Sequence, residues 1–239
     1  MKASDATAVA LRSAPLEPWG VLIGLAIIVG WLFSTAWLLS IELPAWYWTL
    51  PLILLQSHLY TGLFITAHDA MHGLVSRKRW VNLWIGRLSA GLFAFNSYDK
   101  LLPNHHAHHR HVATDEDPDF YRGGFWRWYL SFALHYITWW QIVLMAIAFN
   151  IMKLWLPTEN LLLFWILPSI LATFQLFIFG TYLTHRQPPN NPHKARSQYW
   201  GHAWSFLTCY FFGYHYEHHN YPYLPWWRLW RVANTRPEI

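Results

Sequence analysis

The chain has 239 residues, of which 54% are hydrophobic, 19% aromatic and only 12% charged. Soluble domains carry about 25% charged residues, so half that share, together with 18 Trp, points to a membrane protein rich in interfacial aromatics. A net charge of +5 without any nucleic-acid motif suits anionic lipid or an acidic redox partner, and a single cysteine, Cys209, excludes a disulfide scaffold and a cysteine-based zinc site.

Residues 1–18, with Pro15 and Pro18, read as a poorly ordered tail, and residues 19–239 as one domain. Residues 19–41 contain no charge. At 1.5 Å per residue they reach about 34 Å, enough to cross a bilayer and too long for the apolar region of a signal peptide. The connection "ELPA" leads to a second apolar run, residues 46–67, and Pro44 suits a helix start. The two runs read as a helical hairpin. Arg77, Lys78 and Arg79 follow it, which predicts a cytoplasmic face at that end, and Lys2 and Arg12 place the N-terminus on the same side.

Residues 80–98 are apolar but carry Arg87, and read as an interfacial or re-entrant helix. Residues 115–124 form a polar loop punctuated by Pro and Gly. A second hairpin is expected from one apolar run over 128–152, the turn "KLWLPTE", and a return over 161–183. A short apolar segment, residues 200–214, then delivers an aromatic and basic tail.

The 15 histidines concentrate in four places. "HDAMH" holds His68 and His72. "HHAHHRH" holds His105, His108 and His109 as H-x-x-H-H, with His106 and His111 beside them. "LTHR" holds His185. "HYEHH" repeats H-x-x-H-H as His215, His218 and His219. Residues i, i+3 and i+4 of a helix share a face, so each triad is expected to aim its imidazoles in roughly one direction. At this histidine content such a triad arises by chance about 0.06 times, yet it occurs twice. That recurrence argues against a solvated polar loop or a metal-buffering loop.

Imidazole donors suit iron, copper, zinc or nickel. The scarcity of carboxylates in the boxes argues against magnesium or calcium and against a carboxylate di-iron site. Two hairpins would bring all four places to one membrane face. Nine imidazoles exceed the capacity of one ion, so two ions are implied. His202 competes with His185 for the ninth place, and His193 is ambiguous. His58 and His135, single in apolar runs, read as core or interface histidines. A divalent-metal transporter, the rival from another class, would place its ligands at mid-membrane, whereas these boxes lie at span ends. Asp69, Asp117 and Glu217, with Asp115, Glu116 and Asp119, are candidate acceptors for the imidazoles' other N–H groups.

The boxes resemble those of the membrane fatty-acid desaturase and hydroxylase superfamily. Over about residues 20–232, "HDAMHG", "LLPNHHAHH", "DPDF", "FGTYLTHR", "NPHKARS" and "TCYFFGYHYEHHNYPYLPWWRL" resemble its β-carotene 4-ketolases. Thr184 departs from that pattern, which often has proline there.

The resemblance implies an all-α integral membrane protein with four transmembrane helices as two hairpins, interfacial helices and a cytoplasmic histidine-rich metal cap. It favours His185 over His202. It further implies two histidine-ligated iron ions, O2 as co-substrate, and two hydroxylations at carbon 4 of a β-ionone ring followed by loss of water to a ketone. A carotenoid ring 3-hydroxylase or a fatty-acid desaturase would share the same metal core. No flavin or nicotinamide fingerprint is present, so an external donor of the ferredoxin type is expected to meet Arg77, Lys78, Arg79 or Arg110. A long apolar substrate calls for a tunnel open to the bilayer, with "LFAFNSY" and "CYFFGY" as walls.

Overall fold

The computed structural model describes residues 3–233, which form helices and loops and no strand. Helix α1 spans Ala3–Ser13, α2 Trp19–Ser40, α3 Trp46–Met71, α4 Arg79–Leu92 and α5 Tyr98–His111. Helices α6 (Phe125–Tyr136) and α7 (Trp139–Met152) follow, then the long α8, Thr158–His185, which contains two π-helical stretches, Leu162–Ile166 and Phe177–Tyr182. Three short helices, α9 (His202–Cys209), α10 (His215–Asn220) and α11 (Trp226–Leu229), complete the described chain.

Helices α2, α3 and α8 are each long and apolar enough to cross a membrane. Only 28% of the most apolar window of α2 is buried, so most of that helix faces outward with apolar side chains such as Phe33 and Trp37. A helix that is apolar all round but largely uncovered belongs in lipid. The protein is an all-α, multi-pass membrane protein.

Helix α3 is the central element, packing against α2, α4 and α8. Tyr60, Leu63 and Ile65 are fully buried there, and Tyr60 meets Trp31 of α2 edge-on at 5.1 Å. Gly20 and Gly24 repeat at i, i+4 on α2 and permit close approach. A Cβ at Gly20 would lie 2.3 Å from the carbonyl oxygen of Val75. Lipid offers no hydrophobic drive between spans, so polar pairs contribute to their association. Gln56 Nε2 donates to Thr35 Oγ1 at 2.5 Å, Thr61 Oγ1 donates to Gln175 Oε1 at 2.6 Å, and Asn160 Nδ2 donates to the carbonyls of Leu38 and Ile41 that end α2.

Two expectations are corrected. The run 128–152 is not one continuous helix: α6 and α7 meet at a bend of 82°. Ile137 and Thr138 are extended, and Thr138 starts α7 with a capping box. Its Oγ1 accepts from Gln141 N at 3.2 Å and its N–H donates to Gln141 Oε1 at 3.4 Å. The fourth crossing exists only if this bent pair counts as one span.

The supposed N-terminal tail is also helical over Ala3–Ser13. Ala8 and Leu11 are buried against Tyr214, Tyr221 and Leu224, and Tyr221 Oη donates to Asp5 Oδ1 at 2.6 Å. The Arg228 guanidinium donates to the carbonyls of Leu11, Ala14 and Pro15, closing the end of α1. Lys2 lies outside the described residues.

The expected interfacial helix, α4, has 14 residues, about 21 Å, and does not qualify as a span. Its Arg87 pairs with Asp99 at 3.0 Å at an exposed site.

Candidate metal centre

The C-terminal ends of α3 and α8 lie together, and α5 and α10 pack their histidine boxes across them. Nine imidazoles converge in two adjacent groups. His68, His72, His105, His109 and His218 form one, and His108, His185, His215 and His219 the other; within each, one ligand atom per residue lies within 4.8 Å of all the rest. The groups touch: the His109 and His219 rings are 4.3 Å apart.

Each H-x-x-H-H triad therefore does not aim all its imidazoles at one place. The i, i+4 pairs His68/His72, His105/His109 and His215/His219 each stay in one group. The i+3 members, His108 and His218, cross to the other. A helical turn separates i and i+4 by only about 40° around the axis but i and i+3 by about 60° on the opposite side. Two close sites resolve that difference.

The other histidines lie outside both groups. His202 Nδ1 contacts Tyr214 Oη at 2.7 Å, and His193 Nε2 contacts Asn220 Oδ1 at 3.2 Å. His111 Nδ1 lies 2.9 Å from Glu116 Oε2, and His106 is exposed. His58 stacks on Tyr210 at 4.2 Å, and His135 Nδ1 contacts the Ser131 carbonyl at 2.8 Å.

The imidazoles are braced unequally. Asp117 Oδ1 lies 2.9 Å from His108 Nδ1, and Asp117 itself accepts from the N–H groups of Ala113 and Asp119. His185 Nδ1 donates to the Lys194 carbonyl at 3.1 Å. Asp69 lies 3.6 Å from His68 Nδ1, beyond hydrogen-bonding distance, and accepts from Trp226 N at 3.2 Å. Glu217 accepts from the Ser197 hydroxyl, which in turn accepts from Tyr216 N and steadies the turn into α10. The Lys194 carbonyl is a backbone group that no sequence motif announces. Asp119 approaches His108 Nδ1 at 3.8 Å with one oxygen and accepts from Tyr136 Oη with the other.

Electrostatics favour neutral donors. Outside the spans, burial and then the neighbouring imidazoles hold His105, His215, His218 and His219 well below the usual histidine range. Burial first, then adjacent imidazoles, bring His72 to about 4 and His109 to about 2. His108 is the exception: burial lowers it, but Asp119 and Asp117 outweigh burial and hold it above its usual value. Burial pushes Asp119 up to about 6.

These residues fit a cation. His108 Nε2 and His215 Nε2 both approach His219 Nε2, at 3.1 and 3.0 Å. With His108 Nδ1–H committed to Asp117, one proton on His219 cannot serve both contacts. At most one of the two contacts is then a full hydrogen bond. Both ring nitrogens of His68, His185 Nε2 and His215 Nδ1 are also buried without a hydrogen-bond partner. A cation placed among them would be met by one bare nitrogen from each ring.

A chamber of about 30 Å³ lies against His68, His105, His108 and His215. Phe64, Phe132, Tyr136 and Leu176 line both this chamber and a larger cavity of about 380 Å³ below it. Ile142 and Ile170, 62% and 48% exposed, stand at the cavity's lipid side. Of the expected walls, Phe93, Ala94 and Asn96 line the cavity and Phe212 the chamber.

The bundle thus gathers nine imidazoles, a candidate metal site, at one end above an apolar cavity. The chain belongs to the Fatty acid desaturase family, whose profile matches residues 44–139 and 132–238. It is 45% identical to the "Beta-carotene ketolase" of Paracoccus sp. strain PC1 over 183 residues, 74% of this chain and 76% of that protein. It is 41% identical to the "Beta-carotene ketolase" of Haematococcus lacustris over 72% of this chain and 58% of that protein. Identity to the "sn-1 oleoyl-lipid 12-desaturase" of Picosynechococcus sp. is 27%, over 90% of this chain and 75% of that protein. No solved structure matches the chain.

Proposed function

We propose that the protein is a carotenoid 4-ketolase, converting the ring carbon-4 methylene of β-carotene to a ketone. The observation that carries this reading is the gap between 45% identity to a ketolase and 27% to a desaturase over most of the chain. The apolar cavity supports it, since a rigid polyene needs a long, unbranched, lipid-accessible slot.

The nine imidazoles His68, His72, His105, His108, His109, His185, His215, His218 and His219 would hold two iron ions, which when bound supply oxygen activation. Asp117 and the Lys194 carbonyl fix which nitrogen of His108 and His185 faces the metal. Phe64, Phe132, Tyr136 and Leu176, which line both cavity and chamber, would surround the ring where the two meet and exclude water. Each of two hydroxylations at carbon 4 consumes one O2, two electrons and two protons, places one oxygen in the C–H bond and releases the other as water. The resulting geminal diol loses water to leave the ketone. Electrons come from an external donor of the ferredoxin type, for which the exposed Arg77, Lys78 and Arg79 supply complementary charge. This assignment puts the metal end and the N-terminus at the cytoplasmic face.

Expression in cells that accumulate β-carotene tests the reading. Echinenone and canthaxanthin should appear in pigment extracts. Unchanged pigment, or ring 3-hydroxylation alone, would sink it. Metal analysis of the purified chain should find about two iron per chain; zinc without oxygen consumption would favour the transporter class.

A further inference from the structure

One strongly charged surface remains without a role. The loop that leaves α8, residues 186–196, carries Arg186, Lys194 and Arg196, all exposed. No Asp or Glu occurs from residue 160 to residue 216, so nothing in this stretch of chain neutralises them. The cluster of Arg77, Lys78 and Arg79 differs: the carboxylate of Glu17 reaches into it and accepts from Arg77 N at 3.2 Å.

The loop is built onto the metal centre. Lys194 sits at φ 45°, in the left-handed region. Its carbonyl turns inward and accepts from His185 Nδ1 at 3.1 Å, while the residue remains exposed. One position earlier, the His193 ring lies 6.0 Å from that of His219. The loop thus meets two imidazoles of the four-membered group, and Lys194 reaches from solvent to His185 within a single residue.

The loop is also stiff. Pro188, Pro189 and Pro192 restrict its backbone. Asn191 folds it: Oδ1 accepts from the N–H groups of His193 and Ala195, and Nδ2 donates to the Ala195 carbonyl. Arg196 N donates to the Thr184 carbonyl at 2.9 Å, and Arg196 Nη2 to that of Gln187 at 2.8 Å. A charged surface already held in one shape binds a folded partner without the entropic cost of ordering it. Mobile anionic headgroups would require the charge alone.

We propose that this loop is the docking surface for an acidic one-electron carrier protein, and that electrons enter through it at the four-membered group. The inference rests on the external-donor reading above and gives that donor its seat. In each docking the carrier is oxidised by one electron, which passes by way of the Lys194–His185 contact to a metal held there. Two dockings supply the two electrons of one hydroxylation, and its two protons come from water. Arg77, Lys78 and Arg79 attract the carrier from a distance, where summed charge counts, whereas the loop holds it.

The test uses the full chain, loaded with metal, in nanodiscs of neutral phosphatidylcholine, so that headgroup charge does not intervene. A purified plant-type ferredoxin is the probe, and biolayer interferometry reads its affinity. The unaltered chain should bind it, and affinity should fall steeply as salt rises. Arg186→Glu combined with Lys194→Glu should weaken binding about tenfold. Arg77→Glu combined with Arg79→Glu reverses the same amount of charge and should weaken it about threefold, through slower association. Lys194→Gln removes one charge and leaves the backbone carbonyl in place; it should weaken binding about threefold with metal content unchanged, which guards against a misfolded double variant. Undiminished affinity in Lys194→Gln overturns the proposal. So does a loss in the Arg186/Lys194 variant no greater than that in the Arg77/Arg79 variant, which would leave the loop as a contact for anionic headgroups. If the unaltered chain binds no ferredoxin, the external-donor reading itself fails, and this inference with it.

Discussion

The two imidazole groups differ in how their members are held. The four-membered group, His108, His185, His215 and His219, is braced from outside by Asp117 and by the Lys194 carbonyl. The five-membered group has more donors, but one buried member, His68, has no hydrogen-bond partner on either ring nitrogen. Two members of one group, His108 and His185, are pre-oriented by hydrogen bonds, and that group has no donor to spare. The other is oriented by packing of α3 against α5 and α10 and has an excess. A metal site can be fixed by either route, and the two respond differently to substitution.

The largest expected effect follows from donor count. His219→Ala leaves three imidazoles in the braced group and should abolish ketone formation and remove about half the bound metal, because its loss also opens the contact between groups. His72→Ala leaves four imidazoles in the other group and should retain most of the metal. Metal analysis of the two purified variants makes the comparison, and equal loss from both would break it.

An intermediate effect is expected from the braces. Asp117→Asn removes the charged acceptor at His108 Nδ1 and should weaken metal affinity about 10–100-fold. Asp69→Asn should change it far less, since Asp69 lies 3.6 Å from His68 Nδ1 and accepts from Trp226 N instead. Metal-exchange titrations with a competing chelator read both. A larger effect at Asp69 would show that packing does not suffice to orient His68.

The smallest effect is expected at His202. It contacts Tyr214 Oη at 2.7 Å and lies outside both groups. His202→Ala should leave metal content unchanged and cost stability alone, about 1 kcal/mol for a lost hydrogen bond. Metal loss in this variant would reinstate it as the rival of His185.

Much of the site is visible in the spacing of the histidines. The i, i+4 pairs His68/His72, His105/His109 and His215/His219 share a group because helix geometry leaves them no other choice once the segments are helical. The apolar lengths of residues 19–41 and 46–67 likewise carry the first two spans, since lipid tolerates only helices of that length. Less visible is the break between α6 and α7. The run 128–152 is apolar throughout, and only the Thr138–Gln141 capping box, a pattern of four residues, marks the bend. Helix α1 escapes detection for another reason: its partners, Tyr221, Leu224 and Arg228, lie more than 200 positions away.

The chain's composition and covalent spacing alone determine that this is an apolar helical bundle with imidazoles paired at one-turn intervals, because both properties follow from local geometry and from the solvent. Tertiary packing alone decides that each triad is divided between two groups and that a backbone carbonyl steadies His185. Those relations join segments that the sequence leaves free to lie anywhere, and only the close approach of α3, α5, α8 and α10 brings them within bonding distance.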